Sequence, residues 1–165
     1  MQIKISAGYS TAQKALHWVV ALIIVQQVVL HENMLAAWDA YTKNGDAAGL
    51  SSLSVQAHVW GGLAVLGFAL WRVWLRRTHG APAVPANEPP LLKLAAHATH
   101  VLLYALMIFV PISGAAAYFG GVALASTAHV VMKNVLIPLV LLHVAGALYH
   151  HFWLKSDVLK RMTHG

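Results

Sequence analysis

Four long apolar segments alternate with polar stretches along the chain, and this pattern predicts four transmembrane helices. The predicted spans cover residues 12–31, 55–75, 91–118 and 129–153. Each approaches or exceeds the roughly 20 residues that cross a hydrocarbon core as an α-helix. Ser10 or Thr11 can cap the first helix, and Pro89 and Pro90 suit the entrance to the third. The pattern therefore predicts an all-α polytopic membrane protein, a four-transmembrane-helix bundle forming one domain over residues 1–165, with a loop over 32–54.

Basic residues cluster beside one set of span ends, and their distribution predicts the orientation. With both termini in the cytoplasm, nine of them lie on the inner face: Lys4, Lys14, Arg72, Arg76, Arg77, Lys93, Lys155, Lys160 and Arg161. Only Lys43 and Lys133 then lie outside. Cytoplasmic loops carry the excess of lysine and arginine. We therefore expect a multi-pass protein of the bacterial inner membrane with both termini cytoplasmic.

The amino-acid composition excludes several kinds of cofactor and partner. The chain has 165 residues, of which 59% are hydrophobic and 10% charged, and it has no cysteine. The lack of cysteine excludes disulfides, iron–sulfur clusters, Cys-ligated zinc and covalently attached c-type haem. The net charge of +6 does not indicate nucleic-acid binding, because the basic residues flank apolar segments and form no basic run interleaved with exposed aromatic residues.

The fourth apolar segment carries four histidines: His129, His143, His150 and His151. Ionisable residues inside a membrane are costly and mark functional sites. His129 and His143 are fourteen residues apart, so on a helix they lie within about 40° of one face and about 21 Å apart along the axis. One imidazole would then lie in each leaflet. Imidazole is a common axial ligand of haem iron, so we expect two haem layers.

Depth along the other spans suggests a partner for each of these histidines. His17 lies close to the basic start of the first span, and His58 lies far from the basic end of the second. Counted from the inner boundary, these two layers are eleven to fifteen residues apart, in agreement with the separation on the fourth span. The counts group His17 with His143 in an inner layer and His58 with His129 in an outer layer.

Three other histidines remain alternatives on spacing alone. His97 and His100 lie at the inner depth, and His31, fourteen residues after His17, lies near the outer depth. Glu32 follows His31 at once, which favours a place in the wet interface for His31. A different interpretation is that the histidines only form hydrogen bonds with neighbouring helices.

Several motifs carry a resemblance to a known family. They are Y-S-x-x-x-K-x-L-H-W-V from Tyr9, Q-A-H-V-W-G-G from Gln56, A-A-H-A-T-H-V-L-L-Y from Ala95 and L-H-V-A-G-A-L-Y-H-H-F-W from Leu142. Over nearly the whole chain, and in this order, they resemble the prokaryotic cytochrome b561 family. The resemblance implies a four-helix membrane bundle with two haem b groups, whose iron ligands are four histidines: His17 with His143, and His58 with His129.

The resemblance also implies transmembrane electron transfer with the quinone pool, for example ubiquinone, and in some relatives oxidation of superoxide. Two axial histidines leave no open iron position, which favours outer-sphere electron transfer over oxygen activation. Whether the chain is itself a quinone- or superoxide-linked oxidoreductase stays open. Contacts to quinone or to haem propionates are expected from four residues: Arg72, His100, His150 and His151.

Two alternative functions stay open at this point. One is a membrane anchor that passes electrons for a dehydrogenase or hydrogenase, with a redox protein as partner. The other is a haem-free permease that uses the histidines as a pathway for a metal ion or protons. Between diffusible substrates, the outer surface favours quinone over superoxide, because two lysines face three acidic residues there and a net charge of about −1 does not steer an anion inward.

Overall fold

Four long helices form the protein. The computed structural model describes residues 5–6, 8–85 and 88–164, so Lys4, counted above on the inner face, lies outside the described residues. The long helices are α1 (Thr11–Val29), α3 (Leu53–Thr78), α4 (Pro90–Gly120) and α5 (Ala123–Phe152). Each is long and apolar enough to cross a membrane. The predicted all-α bundle with four candidate spans is confirmed.

The remaining elements are short. They are the helices α2 (His31–Asn44) and α6 (Val158–Thr163), a 3₁₀ turn (Ala48–Ser51) and two strands, β1 (Ile5–Ser6) and β2 (Ala81–Pro82), which pair in parallel over two residues. The polar composition of 32–54 predicted a loop, and α2 shows that this was wrong for its first half. Its helix is stabilised by Glu32 in the first turn, Lys43 in the last and a left-handed Gly45 at φ 71° that ends it.

Most helix ends agree with the prediction, and the local chemistry explains why. Ser10 caps α1 through a reciprocal capping box with Gln13. Pro90 occupies the first turn of α4, where its missing N–H costs nothing. The one large difference is α5, which begins at Ala123 instead of residue 129 because only Gly121 and Val122 separate it from α4.

The early start of α5 gives Lys133 a position well inside the helix. This lysine lies ten residues after Ala123, which is about 15 Å along the helix from its first residue. It therefore lies within a helix that is long and apolar enough to cross a membrane.

The helices pack in chain order, with α1 against α3, α3 against α4 and α4 against α5. The centre of the bundle is a cluster formed by Val20, Val65, Ala69, Leu103 and Met107. In lipid the helices gain no hydrophobic free energy from association, so close contact at small residues stabilises their packing instead. The fully buried Ala69 provides such a contact.

The described termini lie at one end of the bundle, called here the terminal end, and α2 lies at the other, called the α2 end. Contacts distant in sequence cover the terminal end. Gln13 donates to the carbonyl of Gly80 at 2.9 Å, and the Trp18 indole donates to the carbonyl of Met162 at 3.0 Å. The guanidinium of Arg161 donates to Ala83 in the connection between α3 and α4 at 2.7 Å. Helix α6 is thereby held against the bundle.

Candidate functional site

The structure brings together the two histidine pairs that depth and the family motifs predicted. The rings of His17 on α1 and His143 on α5 have centroids 6.1 Å apart and planes inclined at 63°. The rings of His58 on α3 and His129 on α5 have centroids 6.5 Å apart and planes inclined at 66°. Helix α5 therefore contributes one imidazole to each pair. The first pair lies toward the terminal end and the second toward the α2 end.

The spacing of both pairs suits one metal ion between two rings. An imidazole nitrogen lies about 2 Å from the metal it binds, and the ring centre is about 1 Å farther back, so two opposed ligands have centroids about 6 Å apart. Among the described residues, no group of three or more histidine, cysteine or acidic side chains could hold a metal ion. Paired histidines alone suit a metal whose other ligands come from a cofactor, as in haem.

His129 has the surroundings of an oriented ligand. Its Nδ1 lies 2.9 Å from the carbonyl oxygen of Val110 on α4, and that carbonyl also accepts from the hydroxyl of Ser113 at 2.7 Å. Because a carbonyl only accepts, Nδ1 carries the proton and the lone pair of Nε2 is left for a metal. Gly114 makes room for the ring, since a Cβ there would lie 3.0 Å from Cε1 and Nδ1 of His129.

His17 has a different partner. Nη2 of Arg72 on α3 lies 3.0 Å from its Nδ1. A guanidinium only donates, so Nδ1 accepts in this arrangement and the ring proton lies on Nε2. The Arg72 guanidinium also lies 5.6 Å from the centre of the Tyr104 ring, a cation–π distance. Arg72 is thus adjacent to the first histidine pair, where the sequence predicted a contact residue.

The three alternative ligands fall in three different settings. His100 lies beside the first pair, with its ring 5.2 Å from that of His143 and its Nδ1 donating to the carbonyl of Ala96 at 2.7 Å. His97 is exposed on α4. His31, at the start of α2, accepts a hydrogen bond at Nε2 from the ammonium of Lys133 at 3.0 Å.

The contact with Lys133 affects the pKa of His31. Burial and the ammonium of Lys133 lower the pKa of His31, and the carboxylate of Glu32 opposes them by raising it. Because the net effect lowers the pKa of His31, its imidazole is neutral at pH 7 and can accept a hydrogen bond from the ammonium of Lys133.

An apolar cavity of about 530 Å³ opens at the second pair. This volume is typical of sites for small molecules and cofactors. Its polar lining residues include His58, His129, His31, Lys133 and Gln27. Nε2 of Gln27 is buried and has no hydrogen-bond partner among the described residues. An unpaired buried donor in an apolar space is costly, which is consistent with a site that receives a ligand with acceptor atoms.

The comparison with known proteins agrees with this geometry. A model of the family described as prokaryotic cytochrome b561 matches residues 8–165. The chain belongs to the prokaryotic cytochrome b561 family. It is therefore a bacterial membrane cytochrome b that takes part in electron transfer, and the predicted family resemblance is confirmed.

Two relatives extend over nearly the full length of the chain. A cytochrome b562 of Cereibacter sphaeroides is 37% identical over 155 residues, which cover 94% of each chain. A probable superoxide oxidase, CybB, of Yersinia pestis is 25% identical over 176 residues, covering 93% of this chain and 94% of the relative.

The terminal end of this cytochrome contains a polar cluster that sequence reasoning found only in part. Nε2 of His150 lies 3.4 Å from a carboxylate oxygen of Glu88, and its Nδ1 lies 3.2 Å from the hydroxyl of Ser156. The side chain of Glu88 is 5% exposed. His151 and Trp153 lie beyond this cluster, with Trp153 largely exposed. Glu88 and Ser156 lie outside the helices, where no periodic pattern marks a buried residue.

Proposed function

We propose that this cytochrome holds two haem b groups and carries electrons between the two faces of the membrane. His17 and His143 would bind one haem, and His58 and His129 the other. The observation that carries the proposal is the pair of facing imidazoles at each of two levels, at 6.1 and 6.5 Å between ring centroids. The family, whose members are cytochromes b, supports haem as the cofactor.

Bound haem supplies one-electron oxidation and reduction at iron. The chain supplies positions and surroundings. Because α5 contributes one ligand to each level, the two sites would lie about 21 Å apart along one continuous helix, so the proposed electron transfer requires no domain movement. Mostly apolar residues line the cavity at the second pair, and ligation by two histidines would favour electron transfer over oxygen activation.

Arg72 has a specific part in this proposal. Ligation through Nε2 of His17 requires the ring proton on Nδ1, whereas Arg72 donates to Nδ1 in the structure. Arg72 must therefore give up this bond when His17 binds iron. A haem propionate is an acceptor of suitable charge for the released guanidinium, since arginine binds carboxylates in bidentate fashion.

The terminal end is the proposed site of exchange with quinone, and the excess of basic residues there supports a cytoplasmic position for this end. Reduction of a quinone consumes two protons as well as two electrons. The imidazole of His150 lies 3.4 Å from the carboxylate of Glu88 and 3.2 Å from the hydroxyl of Ser156, a row that suits proton exchange at the end of the bundle that holds the first histidine pair. His100, whose ring lies 5.2 Å from that of His143, and His151, which follows His150, are further proposed contacts to the quinone headgroup.

Superoxide oxidation is the second candidate function, because a relative over nearly the whole chain is named a probable superoxide oxidase. We favour quinone as a partner, because Lys43 and Lys133 face three acidic residues at the α2 end, and a net charge of about −1 does not steer an anion inward. The acidic residues are Glu32, Asp39 and Asp46. Family membership favours a cytochrome over the haem-free permease.

Haem quantification in the purified protein, with spectra before and after dithionite reduction, tests the proposal. We expect two extractable haem b groups per chain. His17→Ala and His143→Ala should each remove the same haem, and His58→Ala and His129→Ala the other. His97→Ala is the matched control, because His97 is an exposed histidine on a spanning helix and its loss should remove neither. One haem in the wild type, or loss of a haem in the control, would contradict the ligand set.

A further inference from the structure

Lys133 is a charged residue inside a membrane-spanning helix. It lies on α5, and its ammonium contacts the Nε2 of His31 at 3.0 Å. Among the residues that the structure describes, no carboxylate forms an ion pair with it, whereas Lys43 pairs with Asp39 at 2.7 Å. Charges within the membrane are paired or serve a function. A cation whose recorded partner is a neutral imidazole therefore needs an anion from elsewhere.

The position of Lys133 indicates where that anion lies. Lys133 follows His129 by four residues, so the two side chains lie on the same face of α5, one turn apart. Side chains on a helix incline toward its N-terminus, which brings the Lys133 ammonium back toward the level of His129. Both residues, together with His31 and His58, line the same cavity. The cation thus lies at the edge of the space between the paired imidazoles and α2.

We propose that Lys133 and His31 together form a carboxylate-binding site that holds a propionate of the haem bound by His58 and His129. This proposal rests on the proposed dihaem function. An ammonium has three N–H donors; one is directed at His31, and the others can bind a carboxylate. The propionates are the anionic groups of haem b, and such charge-assisted hydrogen bonds are about twice as strong as neutral ones.

The contact between His31 and Lys133 also assigns a role to His31. On spacing alone His31 competes with His58 as an iron ligand, but its Nε2 is occupied by the lysine. It bridges α2 to α5 and orients the ammonium. In this assignment His31 positions the carboxylate-binding cation, and iron is left to His58 and His129.

The test compares Lys133→Gln with Lys133→Arg and with Lys43→Gln in the purified full-length protein. Lys43→Gln is the matched control because it removes a lysine charge at the same end of the molecule from an exposed side chain. Haem per chain after extended detergent washing and the midpoint potential of each haem are measured. His58→Ala identifies the affected haem, and the haem at His17 and His143 reports that each variant is folded.

In Lys133→Gln, the haem at His58 and His129 should bind about 10- to 150-fold more weakly, because a hydrogen bond to a charged group is lost. Its midpoint potential should fall, because removal of a nearby cation disfavours the added electron, while the other haem is unchanged. Lys133→Arg should restore both properties in large part.

Three outcomes would overturn the proposal. If Lys133→Gln matches Lys43→Gln in haem retention and in both potentials, no propionate is held at this site. If Lys133→Gln matches Lys43→Gln in haem retention and midpoint potentials but loses a salt-dependent reaction with superoxide, the anion bound by Lys133 is a diffusible one. If the wild type binds no haem at His58 and His129, the proposed dihaem function fails together with this proposal. The first two outcomes contradict only the carboxylate-binding site and leave the dihaem function standing.

Discussion

Replacement of Gly114 by alanine should disturb one haem site and leave the other intact. Gly114 lies on α4 against the ring of His129 on α5. A Cβ at this position would be 3.0 Å from both Cε1 and Nδ1 of the imidazole. Nonbonded carbon atoms are best separated by about 3.5–4.0 Å, so the ring must move by roughly 0.5 Å or more, or α4 must shift.

The imidazole cannot move freely, because the carbonyl of Val110 on the same helix holds its Nδ1 at 2.9 Å. Displacement of the ring lengthens that hydrogen bond and tilts Nε2 away from a metal. Loss of a partner that orients a ligand typically lowers metal affinity 10–100-fold. We expect Gly114→Ala to weaken haem binding at His58 and His129 by about this factor.

Haem content after detergent washing and the low-spin iron signal in electron paramagnetic resonance measure the effect. Gly67→Ala is the matched control, because Gly67 is also inside a spanning helix and a Cβ there meets nothing within 4 Å. It should preserve both haems. Equal haem content and identical iron signals in Gly114→Ala and Gly67→Ala would refute the claim that Gly114 makes room for a ligand.

Three further predictions concern topology, the first haem site and the substrate. Single cysteines introduced at Gly45 and Ala83 should react with an impermeant thiol reagent from opposite sides of the membrane; reaction of both from one side would reject the four-span topology. Arg72→Gln should retain haem at His17 less firmly and lower its midpoint potential, as measured by redox titration, whereas an unchanged potential would exclude a propionate contact. Glu88→Gln should slow reduction of the oxidised cytochrome by quinol in stopped-flow mixing without changing haem content; fast reduction by superoxide that slows with salt, with no reaction with quinol, would reverse our choice of substrate.

The sequence predicted the bundle because the physics of a membrane span is local. Backbone groups in lipid must form their hydrogen bonds within the segment, so length and apolar composition were enough to identify four helices. Ser10 and Pro90 marked two helix starts through their own chemistry. The pairing of His17 with His143 and of His58 with His129 was predicted from depth and family motifs, and the structure brings each pair together; their role as iron ligands stays a prediction.

What the sequence by itself determined, then, was the class of protein, its spans and the residues expected to bind haem. The tertiary structure decided which groups surround those histidines, because such contacts join residues distant along the chain. The approach of Gly114 to His129 depends on how closely α4 packs against α5. The bond from Lys133 to His31 spans 102 residues, and the burial of Glu88 depends on how the terminal end folds over it. Polar sequence in 32–54 fits a loop and a surface helix equally well, and contacts with the rest of the bundle selected α2.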